Sequence, residues 1–381
     1  MSDKPRLLII SFSVIERDAR VLRQIRLFAD DYAITTLGFG DAPEAVVRHI
    51  RVPDGMRAND VNGRLITLRR YATAHWRAPA VSWARQHTAR GEWDIVLANE
   101  VDAVPLALRL RPRLGVHADL HEYHPRVKEE QPLWDRRIRP YVEFLCRRYV
   151  ARADSWTTVG EGIAAEYERM FRFRPVVVAN AAPYQARDVT PPAQPLRLVH
   201  SGGAVRARHL EVTVEAVLAA KLDATLDLYL TPNDPGYLQE LRELAASSGG
   251  KVRVLDPVPY SQLADTIADY DVGIHVLPPV NFNHLWALPN KLYDYVQARL
   301  AVVIGPSPEM ARIVSERGFG VIADGFESQD LTRALDTLTP KDVTTMKRAA
   351  AAAAVDLVSD AEDAGWRRAI DALARKESLA R

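Results

Sequence analysis

Polar residues that could bind a phosphate and a ribose stand together between Pro289 and Asp294. Pro289 favours entry into a helix, which places Asn290 and Lys291 in the first turn and Asp294 one turn later on the same face. A helix start offers unpaired N–H groups and the positive end of the dipole, which suit a phosphate. A carboxylate at Asp294 can accept two hydrogen bonds from a ribose diol. A solvated helix with a capping asparagine is the alternative, and spacing alone leaves both open.

A second group of such residues follows a predicted strand. Gly202 and Gly203 have no Cβ, so the backbone there can approach a diphosphate closely. Arg206, Arg208 and Lys291 are candidate cations for the negative charge of a departing diphosphate; Arg206 fits a surface residue equally well. No cluster of His, Cys, Asp or Glu has metal-ligand spacing, so we expect no catalytic metal and no cofactor.

His121 and Glu122 come just after another predicted strand. Loops at the carboxyl ends of parallel strands line ligand crevices. The imidazole could donate to a sugar hydroxyl, and the carboxylate beside it could orient the ring or an acceptor. A histidine-rich loop whose groups bond locally is the alternative.

The elements that must position these residues alternate along the chain. Short apolar runs and longer amphipathic segments follow one another, a pattern typical of parallel strands joined by crossover helices. The predicted strands are 6–13, 33–37, 94–98, 155–159, 196–200, 225–230, 251–255, 271–275 and 300–304. Prolines cluster between residues 181 and 195, as in an inter-domain linker. We therefore predict domains at 1–185 and 192–350, with a final helical segment, 355–381, that packs back on the first.

Bulk properties narrow the class of protein. A chain of 381 residues usually forms more than one core. Its formal charge of +1 and apolar fraction of 48% argue against disorder and against a nucleic-acid partner. One cysteine, Cys146, indicates a reducing compartment, and no apolar run is long enough to span a bilayer, so we expect a cytoplasmic protein. The arginine-rich stretch 126–152 fits either peripheral contact with an anionic membrane at its inner face or a solvated helix neutralised by neighbouring acids.

The segment 287–298 resembles the donor-binding helix of retaining glycosyltransferases of family 4, which have the GT-B fold. Similar motifs follow one another in the family's order along nearly the whole chain, at 18–23, 99–105, 119–122, 178–180, 203–211, 258–260 and 267–273. The resemblance implies two Rossmann-like parallel-sheet α/β domains facing a central cleft. It also implies transfer of a sugar, with retention and without a metal, from a UDP- or GDP-linked donor to a glycan, lipid-linked or small-molecule acceptor.

The same resemblance assigns residues to roles. The catalytic candidates are His121, Glu122, Arg208 and Lys291. The donor-binding candidates are Gly202, Gly203, Arg206, Asn290, Leu292 and Asp294. The acceptor-side candidates are Asp18, Arg20, Asn99 and Glu100.

Two positions depart from the family pattern. Trp286 stands where the first of two glutamates is usual, and a tryptophan cannot make the acidic contact to the donor sugar. This motivates an alternative, a nucleotide-sugar epimerase or an inactive binding protein with the same fold. His209 stands where glycine or lysine is more usual. A dinucleotide-dependent oxidoreductase is disfavoured, because neither 11–16 nor 201–206 contains the Gly-x-Gly-x-x-Gly turn.

Overall fold

The computed structural model describes residues 4–375, so residues 1–3 and 376–381 of the expected domains lie outside the described part. Within it the chain forms two sheets, of seven and six strands, in which every neighbouring pair is parallel. The predicted fold class, two Rossmann-like α/β domains, is confirmed.

The first sheet has the order β3-β2-β1-β4-β5-β6-β7. Its strands are β1 (Arg6–Val14), β2 (Ala33–Phe39), β3 (Arg48–Arg51), β4 (Ile95–Asn99), β5 (Gly115–Leu120), β6 (Ser155–Thr158) and β7 (Val176–Val177). Leu7 to Ile10 are fully buried, as expected of a central strand covered on both faces. Because β1, β4 and β5 are neighbours, their carboxyl ends meet at one edge of this sheet.

The helices that accompany this sheet begin with α1, whose N-cap Asp18 accepts a hydrogen bond from the Val21 N–H. Val21, Ile25 and Phe28 of α1 are buried and form the apolar face of this helix. The helices are α1 (Ala19–Phe28), α2 (Gly63–Thr67), α3 (Tyr71–Arg77), α4 (Pro79–Gln86), α5 (Val104–Leu110), α6 (Pro132–Arg137), α7 (Arg139–Arg148) and α8 (Glu161–Phe171).

The second sheet has the order β10-β9-β8-β11-β12-β13. Its strands are β8 (Leu196–Gly203), β9 (Ala224–Thr231), β10 (Val252–Leu255), β11 (Val272–His275), β12 (Ala301–Ile304) and β13 (Gly320–Ile322). Its helices are α9 (Leu210–Ala219), α10 (Pro235–Ala246), α11 (Tyr260–Ile267), α12 (Phe282–Leu285), α13 (Asn290–Gln297), α14 (Pro308–Arg317), α15 (Ser328–Asp336) and α16 (Pro340–Ala353).

The chain divides into two compact units. The first unit ends at Ala179, a few residues before the expected 185, and the second runs from Asn180 to Ala361. The last helix, α17 (Ser359–Arg375), belongs to the first unit from Glu362 onward, rather than from residue 355. Its Trp366, Ile370 and Leu373 lie in the same core cluster as Leu7 and Ile9 of β1. No helix between residues 4 and 375 has both the length and the apolar character needed to cross a membrane.

Candidate functional site

Two cations of the second unit converge on the glycines that end β8. A Cβ built on Gly202 would lie 2.7 Å from Lys291 Cε and 2.9 Å from its Nζ, and 3.4 Å from Arg208 Nη1. A Cβ on Gly203 would lie 3.4 Å from the same Arg208 atom. The two glycines therefore leave the space that these side chains fill.

Lys291 and Arg208 form no ion pair with any carboxylate in residues 4–375. Arg208 makes one long contact, 3.5 Å from Nη1 to the Gly203 carbonyl. Burial and the neighbouring Arg208 lower the pKa of Lys291 to about 8, and burial lowers the pKa of Arg208. Two half-buried cations that repel each other, without a carboxylate partner within residues 4–375, are suited to bind an anion.

Asp294 lies one turn after Lys291 and is 5% exposed. Burial raises its pKa to about 6, against the opposing effects of Lys291 and of a hydrogen bond from the Tyr260 hydroxyl at 3.3 Å. Pro289, not Asn290, is the N-cap of α13, and most of the helix is buried. The alternative of a solvated helix capped by an asparagine is therefore wrong, and Asn290 is an exposed residue of the first turn.

Two other donor-side candidates make contacts that do not involve these cations. Arg206 is exposed, and its guanidinium donates to both Glu240 oxygens at 2.7 and 2.8 Å while lying over the Tyr237 ring. Leu292 is 2% exposed, and its N–H donates to the Pro289 carbonyl. The structure thus brings Gly202, Gly203, Arg208 and Lys291 together. Arg206 instead pairs with Glu240, and the Leu292 side chain is buried.

The first unit has its own polar centre around Asp119, which is fully buried at the end of β5. Arg20 donates to both of its oxygens at 2.7 Å, and Gln24 and Thr157 donate at 2.6 Å. Burial alone would raise the pKa of Asp119, but Arg20 and the hydrogen bonds hold it well below its usual range. Arg20 also donates to the Val178 carbonyl, so this acceptor-side candidate is a buried support of Asp119.

His121 lies between two carboxylates. Its Nε2 is 3.1 Å from Asn99 Oδ1 and 3.4 Å from Asp119 Oδ2, and its Nδ1 is 3.4 Å from Glu100 Oε1. Burial would lower the pKa of His121, but Glu100 and Asp119 raise it. Asn99 is itself buried and exchanges two amide hydrogen bonds with Gln24. The ring is thus fixed by partners from the ends of two neighbouring strands.

Glu100 joins a second histidine to this centre. Its φ of 70° is left-handed, a conformation that strains a residue with a side chain. Its Oε2 lies 3.0 Å from His124 Nδ1. Burial disfavours the protonated form of His124, yet the Glu100 carboxylate raises the pKa of His124 to about 9. Sequence reasoning missed His124, because its spacing matches no motif and only the fold brings it to Glu100.

A cavity of about 240 Å³ opens beside these groups. Its lining residues are Ser11, Phe12, Ser13, Asp18, Asn99, Glu100, Asp102, His121 and His124. Burial raises the pKa of Asp102 to about 6. A second cavity, of about 330 Å³, shares Phe12 and Asp102 as lining. Glu122 is exposed and does not line either cavity.

The remaining sequence features have local explanations. His209 has a φ of 49°, in the left-handed region that glycine adopts readily, which accounts for the glycine usual there. Trp286 follows α12, with its ring 6.3 Å from that of Phe282. In the arginine-rich stretch, Arg139 pairs with Asp135 and Glu143, which supports the neutralised-helix interpretation there.

No protein-family profile matches the sequence, and no curated protein matches it either. Solved structures do match. Anabaena HepE in complex with UDP has a TM-score of 0.70 at 14% identity, covering 97% of this chain and 99% of that one. Sucrose-phosphate synthase from Thermosynechococcus elongatus has a TM-score of 0.70 at 14% identity, and the match covers 99% of this chain and 100% of that one. A glycosyltransferase from Rickettsia africae has a TM-score of 0.68 at 12% identity, and the match covers 97% of this chain and 98% of that one. These similarities show that the chain has the GT-B fold.

Proposed function

We propose that this chain is a glycosyltransferase that moves a sugar from a nucleotide-sugar donor to an acceptor hydroxyl. The observation that carries the proposal is the pair of cations, Lys291 and Arg208, that lie at the two glycines ending β8 and have no carboxylate partner within residues 4–375. In such a reaction the bond between the sugar and the diphosphate breaks, and the diphosphate leaves with the electron pair. Fixed cations and backbone dipoles stabilise that charge, so the proposal needs no catalytic metal.

The nature of the donor is supported by neighbouring residues. Asp294, buried one turn from Lys291, is suited to accept hydrogen bonds from the ribose hydroxyls of a nucleoside diphosphate. HepE, one of the structures with the same fold, has been solved with UDP and with UDP-glucose. We favour a UDP-linked donor on that likeness, with a GDP-linked donor as the next choice.

The acceptor is assigned to the cavity of the first unit. His121 and His124 supply N–H donors, and Asp18, Asp102 and Glu100 supply acceptors, a mixture that suits the hydroxyl groups of a sugar. The proposal of retention of configuration rests on the resemblance of segment 287–298 to family 4. In the front-face route suggested for such enzymes, an oxygen of the departing phosphate takes the proton of the acceptor hydroxyl.

Nucleotide binding without metal tests the proposal directly. After purification with EDTA, UDP should raise the melting temperature, and UDP- or GDP-sugars should be hydrolysed slowly when no acceptor is present. Arg208→Ala and Lys291→Ala should each weaken UDP binding by about 10- to 100-fold, as expected for loss of a hydrogen bond to a charged group. Arg206→Ala, which removes a neighbouring arginine that pairs with Glu240, is the matched control and should bind UDP normally. If none of the nucleotides binds, the proposal is wrong.

Trp286 favours a second candidate, a nucleotide-sugar epimerase or an inactive binding protein with this fold. Product analysis separates the three functions. A transferase consumes the donor only with an acceptor or water, whereas an epimerase converts the donor sugar without either. An inactive relative binds the donor and leaves it unchanged.

A further inference from the structure

Two histidines that the proposed reaction does not use lie beneath the cation pair. His200 is the fifth residue of β8 and His275 ends β11; they are 1% and 4% exposed. Their rings stack with centroids 5.7 Å apart and planes 24° apart. Apart from the His200 Nδ1 contact described next, their ring nitrogens are buried without a hydrogen-bond partner in residues 4–375.

The hydrogen bonding of His200 fixes its tautomer. Its Nδ1 lies 2.9 Å from the carbonyl oxygen of Ile274, which can only accept, so Nδ1 carries the hydrogen. Burial and then the Lys291 charge lower the pKa of His200 to about 3, so the ring is neutral at physiological pH. The Nε2 atom therefore carries a lone pair and is a buried acceptor without a hydrogen-bond donor in the described residues, which is unfavourable unless a donor reaches it.

The ammonium of Lys291, whose charge acts on His200, is a suitable donor. Side chains alternate along a strand, so His200 and Gly202 belong to the same face of β8. Lys291 Nζ lies against that face, 2.9 Å from the Cβ position of Gly202. Lys291 has no hydrogen-bond acceptor in the described part of the chain. The Lys291 ammonium can donate a hydrogen bond, and the His200 Nε2 atom can accept one.

We propose that His200, held in place by the stacked His275, is a positioning residue for Lys291, whose ammonium donates to the His200 Nε2 atom when a diphosphate occupies the site. The ammonium and the ring are not hydrogen-bonded in the structure, so a rotation of the lysine side chain joins them. One N–H then binds the imidazole while the others face the phosphate oxygens. This inference rests on the proposed function, since it assumes that a diphosphate binds there.

Two substitutions of His200 separate its two nitrogens. His200→Asn keeps an amide N–H near Nδ1 for the Ile274 carbonyl but has no atom at the position of Nε2. His200→Gln extends a polar atom to about that position. We expect the asparagine variant to bind UDP and inorganic pyrophosphate about fivefold to tenfold more weakly, by calorimetry, and the glutamine variant to recover much of the loss.

A double-mutant cycle shows whether the effect acts through Lys291. In a Lys291→Ala background, His200→Asn should cause no further loss of affinity. His117→Asn is the matched control, because His117 is equally buried in the first unit and both of its ring nitrogens are bonded. It should bind UDP normally, and melting temperatures without nucleotide show whether each variant folds.

The outcomes are distinguishable. If wild-type protein binds neither UDP nor pyrophosphate, the proposed function fails and this inference with it. If wild type binds but His200→Asn binds equally well, or loses the same factor with and without Lys291, the positioning role alone is wrong. Should His200→Asn not fold, ¹⁵N spectra of histidine-labelled wild type decide: UDP should shift a non-protonated ring nitrogen, and Lys291→Ala should abolish that shift. An unchanged wild-type spectrum would overturn the inference.

Discussion

At the scale of single residues, the feature that distinguishes this chain is a positive charge without a partner. Arg206, two residues before Arg208, pairs with Glu240, but Lys291 and Arg208 form no ion pair within residues 4–375. Keeping two such cations together is unfavourable in the isolated unit, and an anion removes that cost. The binding energy of the anion therefore depends on the charge state of Lys291.

The affinity for UDP should consequently depend on pH. Because the pKa of Lys291 is lowered to about 8, the side chain is protonated below that value and the affinity is constant there. Above it, binding must first take up a proton, so the affinity should fall, by up to tenfold per pH unit. Calorimetry between pH 7 and 9.5 measures the effect. Lys291→Arg keeps its charge throughout this range and should show a flat profile; equal slopes would contradict the assignment.

The first unit shows the opposite arrangement, a buried carboxylate with every oxygen bonded. Asp119→Asn removes the charge that faces Arg20 and should lower the free energy of unfolding by about 3–5 kcal/mol. The pKa of Asp119 is held below its usual 3.8, so this contribution is present at neutral pH and is lost as the pH falls through the folded-state pKa. Urea unfolding at pH 7 and at acid pH measures both.

The control for that prediction is Glu161→Gln, which breaks an exposed pair with Arg174 in the same unit. Exposed pairs contribute about 0–1 kcal/mol, so its unfolding midpoint should hardly change. A loss as small for Asp119→Asn would show that the buried pair is not a determinant of stability.

At the scale of elements, the site of the second unit depends on how closely α13 approaches the end of β8. Gly202 makes that approach possible, because the Lys291 side chain fills the space that a Cβ at residue 202 would take. Gly273 of β11 does the same further along α13, where a Cβ would lie 2.4 Å from the Tyr295 ring. Two glycines thus bring one helix onto two neighbouring strands.

Gly202→Ala should therefore displace Lys291 and weaken UDP binding by about tenfold or more, since a charge-assisted hydrogen bond is lost. The clash is with the end of a flexible side chain, but the φ of Gly202 is +152°, a conformation that strains alanine, so the melting temperature should also fall. Gly236→Ala in α10 is the control, because its nearest neighbour atom is 3.5 Å away. An unchanged affinity in Gly202→Ala would separate the glycine from the function of Lys291.

At the scale of the whole molecule, each unit has a core of its own, and the first is completed by the end of the chain. Trp366 of α17 is fully buried, with the guanidinium groups of Arg20 and Arg23 each 4.5 Å from its ring. The last helix therefore supports the arginine that holds Asp119 and, through it, His121.

Trp366→Ala should destabilise the first unit by about 3–5 kcal/mol and leave the nucleotide site intact. Calorimetry with and without UDP tests this, because UDP should stabilise only the transition of the second unit. We expect the variant to lower the other transition and to keep the UDP-induced shift. Leu133→Ala, at an exposed residue of α6, should change neither transition. Loss of the UDP effect in Trp366→Ala would contradict the independence of the two cores.

The sequence by itself determined the layered architecture and the strand ends at which the polar residues gather. Parallel strands such as β1 and β12 are buried on both faces, so they read as uninterrupted apolar runs between amphipathic helices. Gly202, Gly203 and His121 lie at the ends of such runs and were predictable for that reason. Lys291 was predicted from Pro289, which precedes the first turn of α13, and from the family resemblance.

The tertiary structure alone decided which charges have partners. Arg206 and Arg208 are two residues apart, yet Arg206 pairs with Glu240 and Arg208 has no carboxylate partner in the described part of the chain. Arg20 was expected on the acceptor side, and the fold buries it against Asp119. His124 pairs with Glu100, and His200 bonds to the Ile274 carbonyl. Such pairings join residues distant in the chain, and their formation depends on long-range packing that local spacing does not encode.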